Sequence, residues 1–130
     1  MKSFETTIED VLRRGVAARF FATGDSMHPT IRNGEHLHVV PVDWSSLRVG
    51  DVVLARAKRG LTAHRLVALT AGTATTRGDN AVRRDAAVSK NEIIGRITHV
   101  ERDGATIAIP GVRRLRRIRL SLSQIIRSLV

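Results

Sequence analysis

Residues 24–40, GDSMHPTIRNGEHLHVV, are the stretch from which both the fold and a candidate chemistry can be read. The first half is rich in Gly, Asp, Asn and Pro, the residues of tight turns, and is predicted to form a structured loop. The segment HLHVV that ends it is predicted to form a strand. The loop can expose the hydroxyl of Ser26, which lies between Gly24 and Pro29. A serine in such a turn most often only hydrogen-bonds the loop, so its position alone makes it no more than a candidate nucleophile.

Strand patterns on both sides of this loop predict a mainly β domain. Alternating or β-branched segments predict strands at 16–23, 51–57, 61–70, 73–77, 93–101 and 105–109. Two polar segments that contain glycine, 58–60 and 102–104, are predicted to be hairpin turns. Strands joined by such short turns favour one mainly β domain over a fold that alternates strands and helices.

A short helix is predicted at the N-terminus. The apolar residues of the first segment recur at helical spacing: Phe4, Ile8, Val11 and Leu12. Thr6 and Glu9 indicate a capping box, and the helix is predicted to end near Gly15. The predicted organisation is therefore an N-terminal helix at 1–15, a β domain at 16–110 and a C-terminal helix at 111–130.

The C-terminal segment differs from the rest of the chain in its charge. From Val112 onward there is no acidic residue, and six arginines alternate with apolar residues that mostly fall within one helical arc. This pattern predicts a basic amphipathic helix. Two interpretations stay open: the apolar side packs on the domain, or it lies on an anionic membrane with the arginines towards the headgroups.

Composition limits the classes of function. The chain has 130 residues, 42% hydrophobic and 26% charged, as expected for one globular domain. Its net charge of +10 favours an anionic partner, but an aromatic content of 3% offers few stacking platforms and disfavours a nucleic acid in that role. The absence of cysteine excludes disulfides, thiolate metal sites and cysteine nucleophiles.

The N-terminal segment predicts a cytoplasmic location. It carries early acidic residues and has no apolar core, unlike a secretory signal peptide, and no stretch reaches the ~20 apolar residues that span a bilayer. Peripheral attachment to a membrane is the alternative, through the C-terminal helix.

Five segments in order resemble signal peptidases and the LexA-like self-cleaving repressors. They are GDSMHPTIRNGEHLHVV at 24–40, RVGDVVLARA at 48–57, AHRLVAL at 63–69, TTRGDNAVRRD at 75–85 and IIGRITHV at 93–100. The resemblance implies a LexA/signal-peptidase-like β domain and a serine endopeptidase. It places the nucleophile at Ser26 of the Ser-Met dipeptide, with Gly24 and Met27 as supporting residues. Gly24 stands where many bacterial signal peptidases have a hydroxyl, so the oxyanion is expected to bind backbone N–H groups, chiefly that of Ser26.

The predicted general base is His64. It precedes Arg65 at the position where bacterial signal peptidases and the repressors have lysine, and this resembles the endoplasmic-reticulum and archaeal signal peptidases. A histidine is suited to this role because its ordinary pKa lies near neutrality. Strand alternation places Leu61, Ala63, Arg65, Val67 and Leu69 on one face and Thr62, His64, Leu66 and Ala68 on the other. Lys58 is the rival base, but it is predicted to lie at an exposed hairpin tip where it stays protonated.

Two aspartates are candidates for orienting the histidine. The resemblance implies Asp85 as the third member of a triad and Asp79 as a supporting group. Asp79 also fits an ordinary Gly-Asp-Asn turn, in which its carboxylate only binds backbone N–H groups. Arg83 and Arg84 stand between the two acids, and either could pair with Asp85 and compete with His64.

No metal or cofactor is expected. His36 and His38 share one strand face and His28 is near in sequence, but no carboxylate or thiol pattern completes a zinc site. The expected substrate is an extended peptide segment with small residues before the scissile bond, bound by strand addition, in a leader, a precursor or the chain itself. The alternative function is a non-catalytic basic module that binds a membrane surface or a nucleic acid on the same fold.

Overall fold

A computed structural model of the chain describes residues 3–58 and 60–110, which form one helix and eight strands. The helix α1 spans Phe4–Arg13, and two single 3-10 turns cover Trp44–Ser46 and Lys90–Glu92. The strands are β1 (Ala18–Phe21), β2 (His36–Val40), β3 (Val52–Ala57), β4 (Gly60–Leu69), β5 (Thr73–Arg77), β6 (Val88–Ser89), β7 (Ile93–Arg102) and β8 (Ala105–Ala108). The predicted mainly β fold with a short N-terminal helix is confirmed. The predicted C-terminal helix lies outside the described residues.

The strands form one antiparallel sheet that curls into a half-barrel. Their order is β1-β2-β7-β3-β4-β5-β6, and β8 pairs with β7. Both predicted hairpins are present: Ala57 pairs with Gly60, and Arg102 pairs with Ala105. In the second hairpin, Asp103 and Gly104 have φ of 51° and 80°, the positive values that a two-residue turn of this kind requires.

Two apolar clusters pack on opposite faces of β3 and β4. The larger includes Leu54 of β3 with Ala63 of β4, and it also contains α1 residues, Met27 and Ile31. The smaller includes Val53 and Leu66, with Ala74 of β5. Since Val53 pairs directly with His64, the histidine side chain lies on the face of the smaller cluster.

A β-bulge in β4 corrects the predicted alternation of that strand. Leu66 pairs with Thr76, but the register then shifts so that Ala68 pairs with Thr75 and Leu69 with Ala74. The extra residue brings Leu69 to the face of Leu66, where it packs on the smaller cluster instead of lying beside Leu61. His64 precedes the bulge, so its predicted face is unaffected.

The N-terminal helix begins earlier than its predicted capping box. Ser3 is the N-cap, and its hydroxyl accepts a hydrogen bond from the N–H of Thr6. Glu9 does not reach back to a cap, because its carboxylate pairs with Arg13 and Arg56. The prediction of a Thr6–Glu9 capping box is therefore wrong. Among the residues that the structure describes, no helix is long and apolar enough to cross a membrane.

Candidate active site

The loop between β1 and β2 presents Ser26 at the surface. Gly24 has φ of 89°, a left-handed conformation that disfavours other residues, and its N–H donates to Asn33 Oδ1 at 2.8 Å. Ala22 closes the base of the loop, since its N–H donates to the carbonyl of Glu35 at 2.8 Å. Met27 is buried in the larger cluster next to the exposed serine. Together these contacts fix the loop while its serine side chain stays accessible.

A second pair of contacts closes the outer half of this loop. The Glu35 carboxylate binds Arg102 and accepts from the N–H of Arg32 at 2.7 Å. The hydrogen bond from the Arg102 guanidinium lowers the pKa of the Glu35 carboxyl below its usual range, despite the opposing effect of burial. The charged pair therefore joins the end of the loop 22–35, which carries Ser26, to β7.

The segment after β5 packs directly against Ser26. The N–H of Asn80 donates to the carbonyl of Ser26 at 2.9 Å, and its side-chain Nδ2 donates to the carbonyl of Asp25 at 3.1 Å. A Cβ added at Gly78 would clash with the Ser26 carbonyl oxygen and would lie 3.2 Å from Nε2 of His64. Glycine is thus required at this position for close approach, a role that its place in a polar turn does not reveal.

The structure brings Ser26, His64 and Asp85 into one line of contacts. His64 Nε2 lies 2.8 Å from Ser26 Oγ, and His64 Nδ1 lies 2.6 Å from Asp85 Oδ2. The imidazole is largely buried, with 12% of its side chain exposed, whereas the Asp85 side chain is 39% exposed. When Nδ1–H of a neutral imidazole donates to the carboxylate, Nε2 is free to accept the serine proton. This is the arrangement that a serine nucleophile, its base and an orienting acid require.

Thr76 is a functional candidate that the sequence reasoning missed. Its buried hydroxyl donates to Asp85 Oδ2 at 2.7 Å, the same oxygen that contacts His64. The N–H of Asp85 donates to the carbonyl of Thr76 at 2.8 Å. Strand alternation could have given a signal, because it places Thr76 on the inward face with Ala74, where a buried hydroxyl needs a partner.

Asp79 lies behind the site rather than in contact with His64. Its carboxylate binds Arg65 through two hydrogen bonds of 2.8 and 2.9 Å, and accepts from the Thr30 hydroxyl at 2.6 Å. Burial alone would raise the pKa of Asp79, but the hydrogen bonds from Arg65 and Thr30 outweigh it and hold the pKa below its usual range. The N–H of Asp79 also lies 3.2 Å from the sulfur of Met27. Asp79 therefore ties the Gly78–Asn80 turn to β4 and to the loop 22–35.

Neither the arginines that could compete for Asp85 nor the rival base Lys58 makes the contact that such a role requires. Arg83 and Arg84 are exposed and make no ion pair with Asp85, whose carboxylate binds His64 and Thr76 instead. Lys58 is exposed in the turn between β3 and β4, at the predicted hairpin tip. Of the two candidate bases, His64 is the one within hydrogen-bond distance of Ser26.

The backbone N–H of Ser26 is a candidate donor to an oxyanion. Within residues 3–58 and 60–110 it has no hydrogen-bond acceptor, whereas its carbonyl is bound by Asn80. A free N–H at the nucleophile is the donor that an oxyanion needs. The N–H of Gly24 is not available for this purpose, because it donates to Asn33.

A groove of about 1100 Å³ leads away from the serine. It is lined by the end of β1 and the residues after it (20–24), by the first half of β4 (61–64) and by the segment 85–88. Ser26 and His64 lie along it, and it extends to Phe4 of α1 and to Lys58. In the described part of the chain, β1 pairs only with β2, and residues 61–64 pair only with β3. Each of these two segments therefore has one edge without a strand partner, and this edge borders the groove.

The histidines outside the site have other contacts. His38 Nε2 lies 2.5 Å from Glu101, which also binds Arg19. The hydrogen bond from Arg19 and, to a smaller extent, that from His38 lower the pKa of Glu101 to about 2. The His36 ring contacts the Phe21 ring with 3.9 Å between centroids. Among the described residues, no group of three or more His, Asp or Glu side chains is arranged to hold a metal ion.

The curled antiparallel sheet and the site at its edge define a peptidase-like β domain. The sequence profile described as Peptidase S24-like matches residues 5–98, most of the chain, and the chain belongs to this family. The family lies in the LexA and signal-peptidase superfamily and consists in general of hydrolases of the serine-peptidase type, so the resemblance read from the five segments is confirmed at that level. The match does not specify the histidine type. No curated protein matches the chain significantly.

Proposed function

We propose that the protein is a serine endopeptidase that cleaves an extended peptide segment through an acyl-enzyme. The observation that carries the proposal is the line of contacts from Ser26 through His64 to Asp85, with distances of 2.8 and 2.6 Å. The family match supports hydrolase chemistry in general, and the contacts supply the particular residues. The histidine before Arg65 resembles that of the histidine-type signal peptidases.

In the proposed reaction, Ser26 is the nucleophile, His64 transfers protons and Asp85 stabilises the charged imidazole. The Ser26 oxygen attacks the peptide carbonyl while its proton passes to Nε2 of His64, and the imidazolium is stabilised by Asp85. His64 then gives this proton to the leaving amine, so that the C–N bond breaks and an ester to Ser26 remains. In the second half, His64 takes a proton from water as the water oxygen attacks the ester carbonyl. The ester C–O bond then breaks, His64 returns the proton to Ser26 Oγ, and the new carboxyl terminus of the substrate leaves. The free N–H of Ser26 donates to the oxyanion in both halves.

The edges that border the groove supply a means of binding the substrate. A peptide in extended conformation can pair with the free edge of β1, of residues 61–64, or of both, because within residues 3–58 and 60–110 neither edge has a strand partner. Both edges run to the serine, so a strand bound to them brings one of its carbonyl carbons to the nucleophile. We place the substrate residues before the scissile bond in this groove. The small residues expected there rest on the resemblance to signal peptidases.

A serine-directed fluorophosphonate tests the nucleophile and the base without knowledge of the substrate. Wild type should be labelled, and Ser26→Ala should not, whereas Ser45→Ala, which removes a serine outside the groove, should react like wild type. His64→Ala should slow labelling by about 10³-fold, as the loss of a triad member does elsewhere. Equal labelling of wild type and Ser26→Ala would contradict the nucleophile. Unchanged labelling of His64→Ala would make Lys58 the candidate base, and Lys58→Ala would then test it.

The same assay separates this function from its alternative. A non-catalytic basic module would leave wild type unlabelled and cleave no peptide. Association of the basic segment 111–130 with an anionic membrane stays a prediction, because that segment lies outside the described residues. Flotation with phosphatidylserine vesicles, before and after removal of residues from Val112 onward, tests it.

A further inference from the structure

Arg83 and Arg84 are a charged pair that the proposed chemistry does not use. Both are exposed, and neither forms an ion pair with a carboxylate in the part of the chain that the structure describes. Val82 beside them is 96% exposed. The tip of the loop between Asn80 and Asp85 therefore presents two free guanidinium groups and one apolar side chain to solvent.

Both ends of this loop are fixed to the candidate active site. At its start, the N–H of Asn80 donates to the carbonyl of Ser26 at 2.9 Å. At its end, Asp85 contacts His64 at 2.6 Å. Since each residue spans at most ~3.6 Å, the Cα of Arg83 lies within about 7 Å of the Cα of Asp85. The two arginines therefore lie on a short loop whose two ends contact Ser26 and His64.

Residues 80–84 lie outside the groove, although Asp85 directly after them lines it. From Ser26 the groove runs between residues 61–64 and 85–88 towards Lys58. Beyond His64, β4 continues to Arg65, which pairs with Arg77 at the entry to the Gly78–Asn80 turn. If the substrate residues before the scissile bond occupy the groove, the residues after that bond pass towards loop 80–84.

We propose that Arg83 and Arg84 bind acidic side chains that follow the scissile bond, so that preferred substrates carry Asp or Glu in the departing segment. The proposal rests on the proposed peptidase function and adds its substrate class. A guanidinium binds a carboxylate through two parallel N–H donors, which selects acids over neutral residues. The exposed carboxylate of Asp25 also lies near this exit and opposes the effect, but it is one negative charge against two positive ones.

The preference should be moderate and sensitive to salt. Exposed ion pairs each contribute little, so two of them should favour an acidic over a matched neutral peptide by about fivefold in kcat/KM. Salt screens charges in water, so this factor should approach one at high NaCl concentration.

A random synthetic peptide library provides the test. Wild type is incubated with the library, and the new amino termini are sequenced to measure the enrichment of Asp and Glu at the positions after each cut. The variant Arg83→Gln/Arg84→Gln should cleave with that enrichment lost. The control Arg14→Gln/Lys90→Gln removes the same charge from exposed positions that do not line the groove, and should keep the enrichment. Labelling by the fluorophosphonate, which has no departing peptide, should be the same in all three proteins.

Each outcome decides the matter. The proposal is contradicted if wild type releases amino termini without acidic enrichment. It is also contradicted if the enrichment survives in Arg83→Gln/Arg84→Gln. Both results would leave the peptidase function intact. The proposal is also contradicted if Arg83→Gln/Arg84→Gln keeps the enrichment but no longer floats with phosphatidylserine vesicles, because the arginines would then bind a membrane. A wild type that releases no amino termini and is not labelled would instead contradict the peptidase function itself.

Discussion

Thr76 and Asp85 hold each other through two hydrogen bonds. The Thr76 hydroxyl donates to Asp85 Oδ2 at 2.7 Å, and the N–H of Asp85 donates to the carbonyl of Thr76 at 2.8 Å. Since the Asp85 side chain is more than a third exposed, water competes for it, and the contact to His64 does not fix its orientation alone. Thr76 belongs to a paired strand and is buried, so it supplies the rigid end of this contact.

Thr76→Val should slow fluorophosphonate labelling of Ser26 by about 10-fold, because a hydrogen bond to a charged group contributes roughly 1.5–3 kcal/mol and valine keeps the shape without the donor. Thr76→Ser keeps the hydroxyl and should react within about threefold of wild type. The measurement is the second-order labelling rate. If Thr76 acts through Asp85, Thr76→Val should have no further effect in an Asp85→Ala background. Additive losses in the double variant would show that Thr76 acts in another way.

Gly78→Ala should impair the site while the protein stays folded. The added methyl would meet the carbonyl group of Ser26 and lie 3.2 Å from His64 Nε2, so the nucleophile and the base must move apart. A displacement of about 1 Å between reacting groups costs about 100-fold in rate, and labelling should fall by that order. Gly72→Ala is the matched control, because nothing lies within 4 Å of its added methyl. Equal labelling rates of the two variants would show that the turn after β5 can retreat without disturbing Ser26.

Much of the sheet could be predicted from the chain because its strands are regular and its turns short. The strands β2 and β5 have the bounds predicted from the segments HLHVV and TATTR. The β4 bulge was not predictable from alternation, because it depends on how β5 pairs with β4. The two residues of β6 are too few to give a pattern.

The candidate site divides in the same way. Resemblance in five segments brought Ser26, His64 and Asp85 to attention, although they are far apart in sequence, and the structure brings them into contact. Thr76 and Gly78 gave no comparable signal. A threonine in a strand and a glycine in a turn are common, and their importance arises only from what the fold places within 4 Å of them.

Asp79→Asn should lower stability in a pH-dependent manner. At neutral pH it removes the charge that pairs with the partly buried Arg65, which should cost about 2 kcal/mol of unfolding free energy. The pKa of Asp79 is lower in the folded chain than its ordinary value of 3.8, so the unfolded chain binds protons more readily. The pair thus contributes fully above about pH 4, and its contribution is lost as the pH falls through the lowered pKa.

Urea unfolding of wild type and Asp79→Asn from neutral pH to about pH 3 measures this effect, and the difference in unfolding free energy should shrink at the acid end. Asp103→Asn removes a carboxylate from an exposed turn and is the control for loss of charge alone. A difference that stays constant over the range would mean that the Arg65–Asp79 contact does not depend on the ionisation of the aspartate.

Thr23→Pro should separate peptide cleavage from reaction with a small probe. The N–H and C=O of Ala22 both bond towards β2, to Glu35 and Gly34, so those of the next residue point to the opposite edge. Thr23 lines the groove, and its N–H is therefore available to a substrate strand. Proline removes that donor and suits extended backbone at a sheet edge. Cleavage of peptides from the random library should slow about fivefold, the effect of roughly one hydrogen bond, while fluorophosphonate labelling changes little.

Thr23→Ala keeps the N–H and should cleave like wild type. Parallel losses of cleavage and labelling in Thr23→Pro would indicate that the substitution disturbs the neighbouring nucleophile loop, and an unchanged cleavage rate would show that substrates do not pair with this edge.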